Sequence, residues 1–251
     1  MLHKWELTIP TLSPRVKRRA YLYLPRAYDL QPDRRFPVLY MFDGHNVFLD
    51  TDATYGTSWG MYEYMNRTKT PLIIAAVECN SLGNGRLREY SPFPHETDGL
   101  GLIHPLGRPY MDWLTGTFKP MIDRNFRTLP DREHTFIAGS SMGGLMSLYA
   151  VSAYNDVFSR AACLSPSLWV EPERVKRMIR RANYGEGTVI YMDYGREEMK
   201  NHEASFNALG ATFQSLYARG VDLTFRIVPG GMHCEASWAQ QVPIFMKCLG
   251  L

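Results

Sequence analysis

The chain has 251 residues, of which 45% are hydrophobic and 21% are charged, and its formal net charge is +3. This composition is typical of a globular protein with a sizeable core, and the small net charge argues against a nucleic-acid partner. No stretch approaches the roughly 20 apolar residues of a membrane span, and the N-terminus lacks the apolar core of a secretory signal, so we expect no membrane partner and no export.

Short apolar runs typical of β-strands alternate with helical patterns along the chain. The predicted strands cover residues 5–9, 19–25, 36–42, 71–78, 134–139, 160–165, 188–194 and 223–229. The predicted helices cover approximately residues 58–67, 109–125, 142–153, 172–182, 200–219 and 235–248. This alternation predicts one α/β domain over residues 1–251, with a mostly parallel sheet of about eight strands and helices on both faces. The first two strands are close in sequence, which favours antiparallel pairing between them.

Two segments depart from this alternation. The basic run RVKRR, residues 15–19, precedes a strand, and we interpret it as a solvated strand start. Residues 79–109 are rich in Gly and Pro and show no clear period. A long loop inside a compact domain is usually functional, and this one should lie at the carboxyl edge of the sheet, where α/β folds bind ligands. We therefore predict an active-site loop or lid over residues 79–109.

The four cysteines show neither CxxC pairing nor metal-like spacing; they are Cys79, Cys163, Cys234 and Cys248. Free thiols are typical of a reducing compartment. We therefore expect a cytoplasmic protein with no metal site. The composition leaves the oligomeric state open, and a homodimer is compatible with it.

The stretch IAGSSMGG, residues 137–144, places two serines among glycines between a strand-like run and a helical one. The nucleophile elbow has the pattern G-x-S-x-G in such a strand–turn–helix context. Ser141 lies at the centre of that frame, whereas Ser140 lacks a glycine two residues away on either side. Ser141 is therefore the candidate nucleophile, and the amides at the start of the following helix would face developing negative charge.

A serine hydroxyl needs a base to react at neutral pH, and that base needs an acid to orient it. With this elbow, the expected chain order is serine, acid, histidine. Only two histidines follow the candidate serine. His233 lies in a Gly-rich loop directly after the last predicted strand, whereas His202 lies at the start of an exposed helical pattern. We predict that His233 is the base.

The acid should follow the preceding strand, within YMDYGREE, residues 191–198. Glu197 and Glu198 come after a glycine and lie nearer the expected sheet edge, whereas Asp193 belongs to the strand itself. Either glutamate would also serve as a cap of the next helix. We favour Glu198 as the acid, with Asp193 as the second choice and Glu197 as the third.

Two backbone N–H groups should form the oxyanion hole. One belongs to Met142, which directly follows the candidate nucleophile. The other should come from the loop after the third strand, where the stretch DGHN, residues 43–46, offers the amide of His45 or of Asn46. Taken alone, the residues DGHN are also typical of an ordinary turn.

Together, these motifs resemble the esterase-D-type α/β-hydrolases, a family that includes feruloyl, acetylxylan and enterochelin esterases and S-formylglutathione hydrolase. The matching stretches run across nearly the whole chain: YLYLPRAYD, FPVLYMFDGHNVF, REYSPF, FRTLPDREHTFIAGSSMGGLMSLY, LSPSLW, YMDYGREE and GGMHCEASW. The GSSMGG elbow, a downstream G-x-H and a Trp five residues after that histidine form a more specific signal than any one motif.

The resemblance implies Ser141 as nucleophile, His233 as base and an acid shortly after a glycine, which favours Glu198. It also makes the amide of His45 the preferred second oxyanion donor. The implied activity is hydrolysis of a carboxylic ester through an acyl-enzyme, with neither a metal nor an organic cofactor.

Aromatic residues are candidates for the substrate pocket. The resemblance places Trp169 in that pocket, and we also expect Tyr90 and Phe93 near it, where their rings would stack on an acyl group or a sugar. The expected partner is a small ester such as an acylated saccharide. The alternatives are an acyltransferase with the same triad, an S-formylglutathione hydrolase, a siderophore esterase, or an inactive binding scaffold.

Overall fold

The computed structural model describes residues 1–199 and 203–251. Its strands are β1 (Leu2–Ile9), β2 (Ser13–Tyr23), β3 (Val38–Met41), β4 (Ile73–Val77), β5 (His95–Thr97), β6 (Gly101–Ile103), β7 (Thr135–Ser140), β8 (Arg160–Leu164), β9 (Val189–Gly195) and β10 (Asp222–Val228). All eight strands predicted from the sequence are present, with ends that differ by a few residues. The hairpin of β5 and β6 was not predicted.

Eight of these strands form one sheet in the order β1-β2-β4-β3-β7-β8-β9-β10. The pairs β1–β2 and β2–β4 are antiparallel, and every other neighbouring pair is parallel. The prediction of a mostly parallel sheet with an antiparallel start is therefore confirmed. Because the parallel strands point the same way, the loops that follow β3, β7, β9 and β10 leave from one edge of the sheet.

The helices are α1 (Arg26–Leu30), α2 (Met61–Thr68), α3 (Gly85–Glu89), α4 (Gly107–Trp113), α5 (Lys119–Asn125), α6 (Met142–Ala153), α7 (Pro172–Arg181), α8 (Glu203–Tyr217), α9 (Glu235–Ala239) and α10 (Val242–Cys248). A π-helical segment, Leu114–Phe118, joins α4 to α5. The single helix predicted over residues 235–248 is divided in two. Pro243 explains the break, because it has no N–H for the bond to the preceding turn.

Helices cover both faces of the sheet, as predicted. Along β3, Val38 and Tyr40 pack into one hydrophobic core, whereas Leu39 and Met41 pack into the core on the opposite face. A strand buried on both faces reads as a continuous apolar run, which is why these strands were recognisable in the sequence. None of the described helices is both long enough and apolar enough to cross a membrane.

Residues 79–109 form ordered structure that contains α3, the β5–β6 hairpin and the start of α4. A buried ion pair fixes this segment to the sheet: Arg18 of β2 donates to Glu89 at 2.7 and 2.5 Å. Arg18 is only 2% exposed. RVKRR therefore lies within β2, and its interpretation as a solvated strand start is wrong for Arg18, whose partner lies 71 residues away in sequence.

Candidate active site

The candidate nucleophile lies on a strained turn between β7 and α6. Ser141 has φ 57° and ψ −121°, a combination that non-glycine residues rarely adopt and that clusters at functional sites. A Cβ atom at Gly139 would lie 2.7 Å from the backbone of Gly143, so the turn closes only without a side chain there. The turn therefore holds the Ser141 hydroxyl at the carboxyl edge of the sheet.

Two short hydrogen bonds join three side chains that are distant in sequence. Ser141 Oγ lies 2.8 Å from His233 Nε2, and His233 Nδ1 lies 2.6 Å from Glu198 Oε2. A proton on Nδ1, directed at the carboxylate, leaves Nε2 free to accept the serine proton. The structure thus brings together the three residues that the sequence analysis favours for nucleophile, base and acid.

The loops after β9 and β10 explain why Glu198 meets His233. These strands are parallel neighbours, so both loops leave from the same edge. The backbone N–H of Glu197 donates to Gly231 O at 3.0 Å, which ties the loops together. A side chain at Gly195 would clash with the Gly231 backbone, so a glycine is required where the loops touch. The close crossing aligns the carboxylate with the imidazole.

Neutral donors hold the second oxygen of the Glu198 carboxylate. Glu198 Oε1 accepts hydrogen bonds from Ser165 Oγ at 2.7 Å and from the backbone N–H of Gly195 at 3.0 Å. Ser165 Oγ in turn accepts a bond from the indole N–H of Trp238 at 2.9 Å, so its single proton is directed at the carboxylate. The Trp238 ring also packs edge-on against His233, with centroids 5.0 Å apart. The Glu198 side chain is only 4% exposed.

The other acid candidates lie in different surroundings. Asp193 is buried in β9 and accepts hydrogen bonds from the Tyr191 hydroxyl at 2.7 Å and from the backbone N–H of Ser165 at 3.2 Å. Burial raises the pKa of Asp193 to about 6, against the lowering effect of these donors. Glu197 is in the short helical turn that carries Glu198. His202, the other histidine that follows Ser141 in the sequence, lies outside the described residues.

The loop after β3 contains a short 3-10 turn, Gly44–Asn46. The hydrogen bonds of this turn use the N–H groups of Asn46 and Val47, and the His45 N–H takes no part in them. Met142 is the first residue of α6, and the first N–H groups of a helix have no acceptor within it. The backbone N–H groups of Met142 and His45, both predicted oxyanion donors, thus take no part in these hydrogen bonds. The backbone N–H of Asn46, the alternative donor, is used by the turn.

An ion pair fixes the start of this loop. Asp43 has a left-handed backbone with φ 53°. Arg86 of α3 donates from Nε and Nη2 to the two Asp43 carboxylate oxygens at 2.8 and 2.7 Å. Burial alone would raise the pKa of Asp43, but the charge and hydrogen bonds of Arg86 outweigh it and hold that pKa below its usual value. The 79–109 segment therefore supports the candidate oxyanion loop directly.

A cavity of about 420 Å³ opens beside the three joined side chains. Most of the residues that line it are polar; they are Asp43, His45, Asn46, Thr54, Tyr55, Cys79, Asn80, Ser81, Gly83, Arg86, Ser140, Ser141, His233, Glu235 and Trp238. The first part of the 79–109 segment forms one wall of this cavity. Its polar lining offers several hydrogen-bonding groups to a ligand that enters from solvent.

Trp169 lies near the candidate nucleophile but does not line that cavity. Its neighbour Ser167 has its Oγ 3.4 Å from Ser141 Oγ. The Trp169 side chain is 42% exposed, and its ring packs edge-on against buried His95, with centroids 5.5 Å apart. Trp169 is therefore partly exposed two residues after Ser167, and it lies outside the lining of the cavity.

The other two predicted pocket residues occupy different places. Tyr90 is fully buried and presents no surface to a ligand. Its hydroxyl accepts a hydrogen bond from the backbone N–H of Asp43 at 3.1 Å, so Tyr90 supports the candidate oxyanion loop. Phe93 packs edge-on against Tyr149 and borders a separate surface groove along α7. Neither ring lies in the lining of the cavity at Ser141.

One group of side chains near the site has atoms that could bind a metal. Asp43, His45 and Cys79 each bring one such atom within 4.8 Å of the others. Both Asp43 oxygens accept bonds from Arg86, however, so a cation there would meet a guanidinium. Burial, followed by the nearby Asp43 charge, raises the pKa of the Cys79 thiol well above its usual range, which disfavours the thiolate that binds metals. This donor set does not suit a metal ion.

Two residues of the site were missed from the sequence. Arg86 appears there only as a basic residue in an aperiodic segment, and Ser165 as one serine of the stretch LSPS. The positive φ of Ser165, 40°, and the partners of both side chains arise only from the fold. The resemblance covers the stretch with Ser165, without a role for that residue, whereas Arg86 lies just before the matching stretch REYSPF.

Comparison with known proteins places this chain among esterases. A family model described as "Putative esterase" matches residues 13–244. The "Uncharacterized protein YbbA" of Bacillus subtilis (strain 168) is 26% identical over 234 residues, which are 89% of this chain and 89% of that protein.

Two solved structures show the same fold. A ferulic acid esterase is 18% identical, with a TM-score of 0.71 over 100% of this chain and 97% of that one. An IroE-like serine hydrolase from Shewanella oneidensis is 17% identical, with a TM-score of 0.78 over 100% of this chain and 79% of that one. At these identities the likeness establishes the α/β-hydrolase architecture alone. Because the family model spans nearly the whole sequence, the chain belongs to this esterase family.

Proposed function

We propose that the protein is a serine carboxylic-ester hydrolase in which Ser141 is the nucleophile, His233 the general base and Glu198 the orienting acid. The observation that carries this proposal is the unbroken pair of hydrogen bonds from Ser141 Oγ through His233 to Glu198, at 2.8 and 2.6 Å. The strained elbow and the adjacent open cavity support the same assignment, because they leave the serine hydroxyl accessible to a ligand.

In the first half of the reaction, Ser141 Oγ attacks the ester carbonyl carbon while His233 Nε2 takes the hydroxyl proton. The carbonyl oxygen becomes an oxyanion, which the N–H groups of Met142 and His45 stabilise; one such donor is worth roughly 3 kcal/mol. The bond to the alcohol oxygen then breaks, and His233 returns the proton to that oxygen. The alcohol leaves, and the acyl group stays on Ser141.

In the second half, a water molecule attacks the acyl-enzyme carbonyl while His233 accepts one of its protons. The resulting oxyanion collapses, Ser141 leaves with the proton from His233, and the free acid is released. Glu198 keeps the imidazole in the required tautomer and stabilises its cation in both halves. Each step needs only groups of this chain, the ester and water.

The cavity lining combines hydrogen-bonding side chains with aromatic ones such as Tyr55 and Trp238, and we propose an acylated saccharide or a similar small hydroxylated ester as the substrate. Within a single domain over residues 1–251, the segment 79–109 is the active-site loop, and its first part, residues 79–86, forms a wall of the site. The four cysteines are all free thiols, which supports the proposed cytoplasmic location.

The test is hydrolysis of an activated acetyl ester, followed under pre-steady-state conditions. Wild-type protein should release a burst of alcohol that matches the enzyme concentration, followed by slower turnover. Ser141→Ala should lose both the burst and turnover. Ser215→Ala is the control, since the hydroxyl of this serine bonds to Ala211 of its own helix and lies outside the cavity lining, and it should keep the burst. Full activity of Ser141→Ala would exclude the proposed mechanism.

A further inference from the structure

Tyr55 is 81% exposed and borders the cavity that contains Ser141 and His233. A single exposed aromatic residue is ordinary on a protein surface. Tyr217, which is 74% exposed on α8, is such a case, and its ring stacks on Phe213. Tyr55 differs because its exposed ring lies at the mouth of the candidate active site.

The loop that carries Tyr55, residues 50–58, is fixed at its base. The backbone N–H and the hydroxyl of Ser58 both donate to Asp50 Oδ1 at 2.8 Å. These two hydrogen bonds join the first and last residues of the loop. The Tyr55 ring is therefore exposed, while the ends of the loop that carries it are held in place.

Asn46 connects this loop to both sides of the candidate site. Its Oδ1 accepts the backbone N–H of Thr54 at 3.0 Å, and its Nδ2 donates to Glu235 Oε1 at 3.0 Å. Asn46 belongs to the candidate oxyanion turn, and Glu235 follows His233 by two residues. These bonds fix the loop of Tyr55 relative to the segment that carries His233. A ligand that contacts Tyr55 therefore loses little binding free energy in ordering the loop.

The charges around the cavity identify the class of ligand. Arg86 and Asp43 neutralise each other, and the Glu235 carboxylate already accepts a bond from Asn46, so among the described residues the lining offers no surplus positive charge for an anion. Asn80 and Ser81 are uncharged and can bond to hydroxyl groups. The combination of an aromatic face with uncharged polar groups matches a sugar, which has C–H faces and a rim of hydroxyls.

We propose that Tyr55 is the stacking platform of a sugar subsite, which holds the saccharide of an acylated sugar while its ester carbonyl lies at Ser141. The partly positive C–H groups on one face of the sugar ring pack on the negative face of the tyrosine ring. The contact is to the ring, so the Tyr55 hydroxyl is not required. This inference rests on the esterase function proposed above.

The experiment compares two acetyl esters, 6-O-acetylglucose and vinyl acetate, which differ in whether a sugar is present. Tyr55→Ala should lower the ratio of kcat/KM for the sugar ester to kcat/KM for vinyl acetate by about three- to tenfold, through KM for the sugar ester. Tyr55→Phe should keep the wild-type ratio. Tyr217→Ala, the matched control on another exposed tyrosine, should also keep it. An unchanged ratio in Tyr55→Ala would overturn the proposal.

Binding to the Ser141→Ala protein gives a readout that does not need turnover. The dissociation constant for 6-O-acetylglucose, measured by calorimetry, should rise about three- to tenfold when Tyr55→Ala is added to that background. Equal affinity with and without the ring would overturn the subsite. If wild-type protein hydrolyses neither ester, the esterase proposal fails, and the calorimetric comparison still decides whether Tyr55 contacts the sugar.

Discussion

The two sides of Ser141 are held by different kinds of interaction. On the oxyanion side, a buried aspartate, Asp43, is paired with Arg86, and its pKa lies below the usual value. On the acid–base side, a second buried aspartate, Asp193, is hydrogen-bonded to the Tyr191 hydroxyl and a backbone N–H, and its pKa is raised to about 6. Two aspartates near one serine therefore have opposite responses to pH.

The difference follows from what each side has to do. In the proposed mechanism the oxyanion side presents backbone N–H groups whose positions should not change during the reaction, and the Arg86–Asp43 ion pair holds the loop that carries the His45 N–H. On the other side, the proposed mechanism requires the charge of His233 to change during turnover. Neutral partners such as Ser165 and Trp238 hold Glu198 without competing for its charge, so the carboxylate remains available to the imidazolium.

Removing the charge of Glu198 should have the largest effect. In Glu198→Gln, the amide can donate to His233 Nδ1 and stabilise the wrong tautomer, so kcat should fall by about 10⁴-fold. The measurement is the steady-state rate on vinyl acetate. Glu197→Gln serves as the control, and its loss should be far smaller. Comparable losses in the two variants would contradict the assignment of Glu198.

Breaking the ion pair should destabilise the oxyanion side. In Arg86→Met, Asp43 is left buried without its cation, and the free energy of unfolding in urea at neutral pH should fall by about 3 kcal/mol, the lower end for a buried pair because Arg86 is partly exposed. The kcat should also fall. Arg88→Met, on the same helix, is the control.

The pH dependence of this loss has a definite sign. Asp43 has a lowered pKa in the folded protein, so the pair contributes stability above the ordinary pKa of the aspartate and loses it as pH falls through the folded pKa. The difference between wild type and Arg86→Met should therefore shrink in acid. A difference that grows as pH falls would contradict the ion-pair account.

Asp193 should behave in the opposite way. Its pKa is raised from 3.8 to about 6, so the contribution of Asp193 to stability is greatest when this group is protonated and decreases as pH rises from its ordinary pKa through 6. Asp193→Asn should remove this dependence, and its stability relative to wild type should increase by up to about 3 kcal/mol between pH 4 and pH 8. Asp222→Asn, at an exposed position, should show no such trend. Parallel curves for wild type and Asp193→Asn would show that the charge of Asp193 is not the cause.

The smallest effect is expected at the neutral partners of Glu198. Ser165→Ala removes one hydrogen bond to the carboxylate, and kcat should fall by about tenfold with little change in KM. Trp238→Phe removes the indole donor but keeps an aromatic ring near His233, and it should lower kcat less than Ser165→Ala. A change confined to KM would indicate that Ser165 acts on substrate binding.

Sequence reasoning reached the sheet and the candidate triad for physical reasons. Strands covered on both faces are continuous apolar runs, and the elbow needs glycines at fixed spacing around Ser141. Both signals are local, so they can be read from neighbouring residues. The same holds for His233, which directly follows a recognisable strand.

The features that were missed depend on partners distant in sequence. Arg18 appears as one basic residue in a run, and its burial depends on Glu89, which lies 71 positions later. The β5–β6 hairpin lies in a segment whose glycines and prolines hide any period. Arg86 and Tyr55 gain their proposed roles only because the fold brings their loops to one cavity. No local pattern could have indicated these contacts.

The most direct test of the proposed triad is site mapping with a fluorophosphonate, which reacts with an activated serine. Peptide analysis of the labelled wild-type protein should find the adduct on Ser141, and His233→Ala should slow labelling by at least about 10³-fold. Labelling of another serine, or an equal rate without the His233 imidazole, would contradict the claim that these two side chains act together.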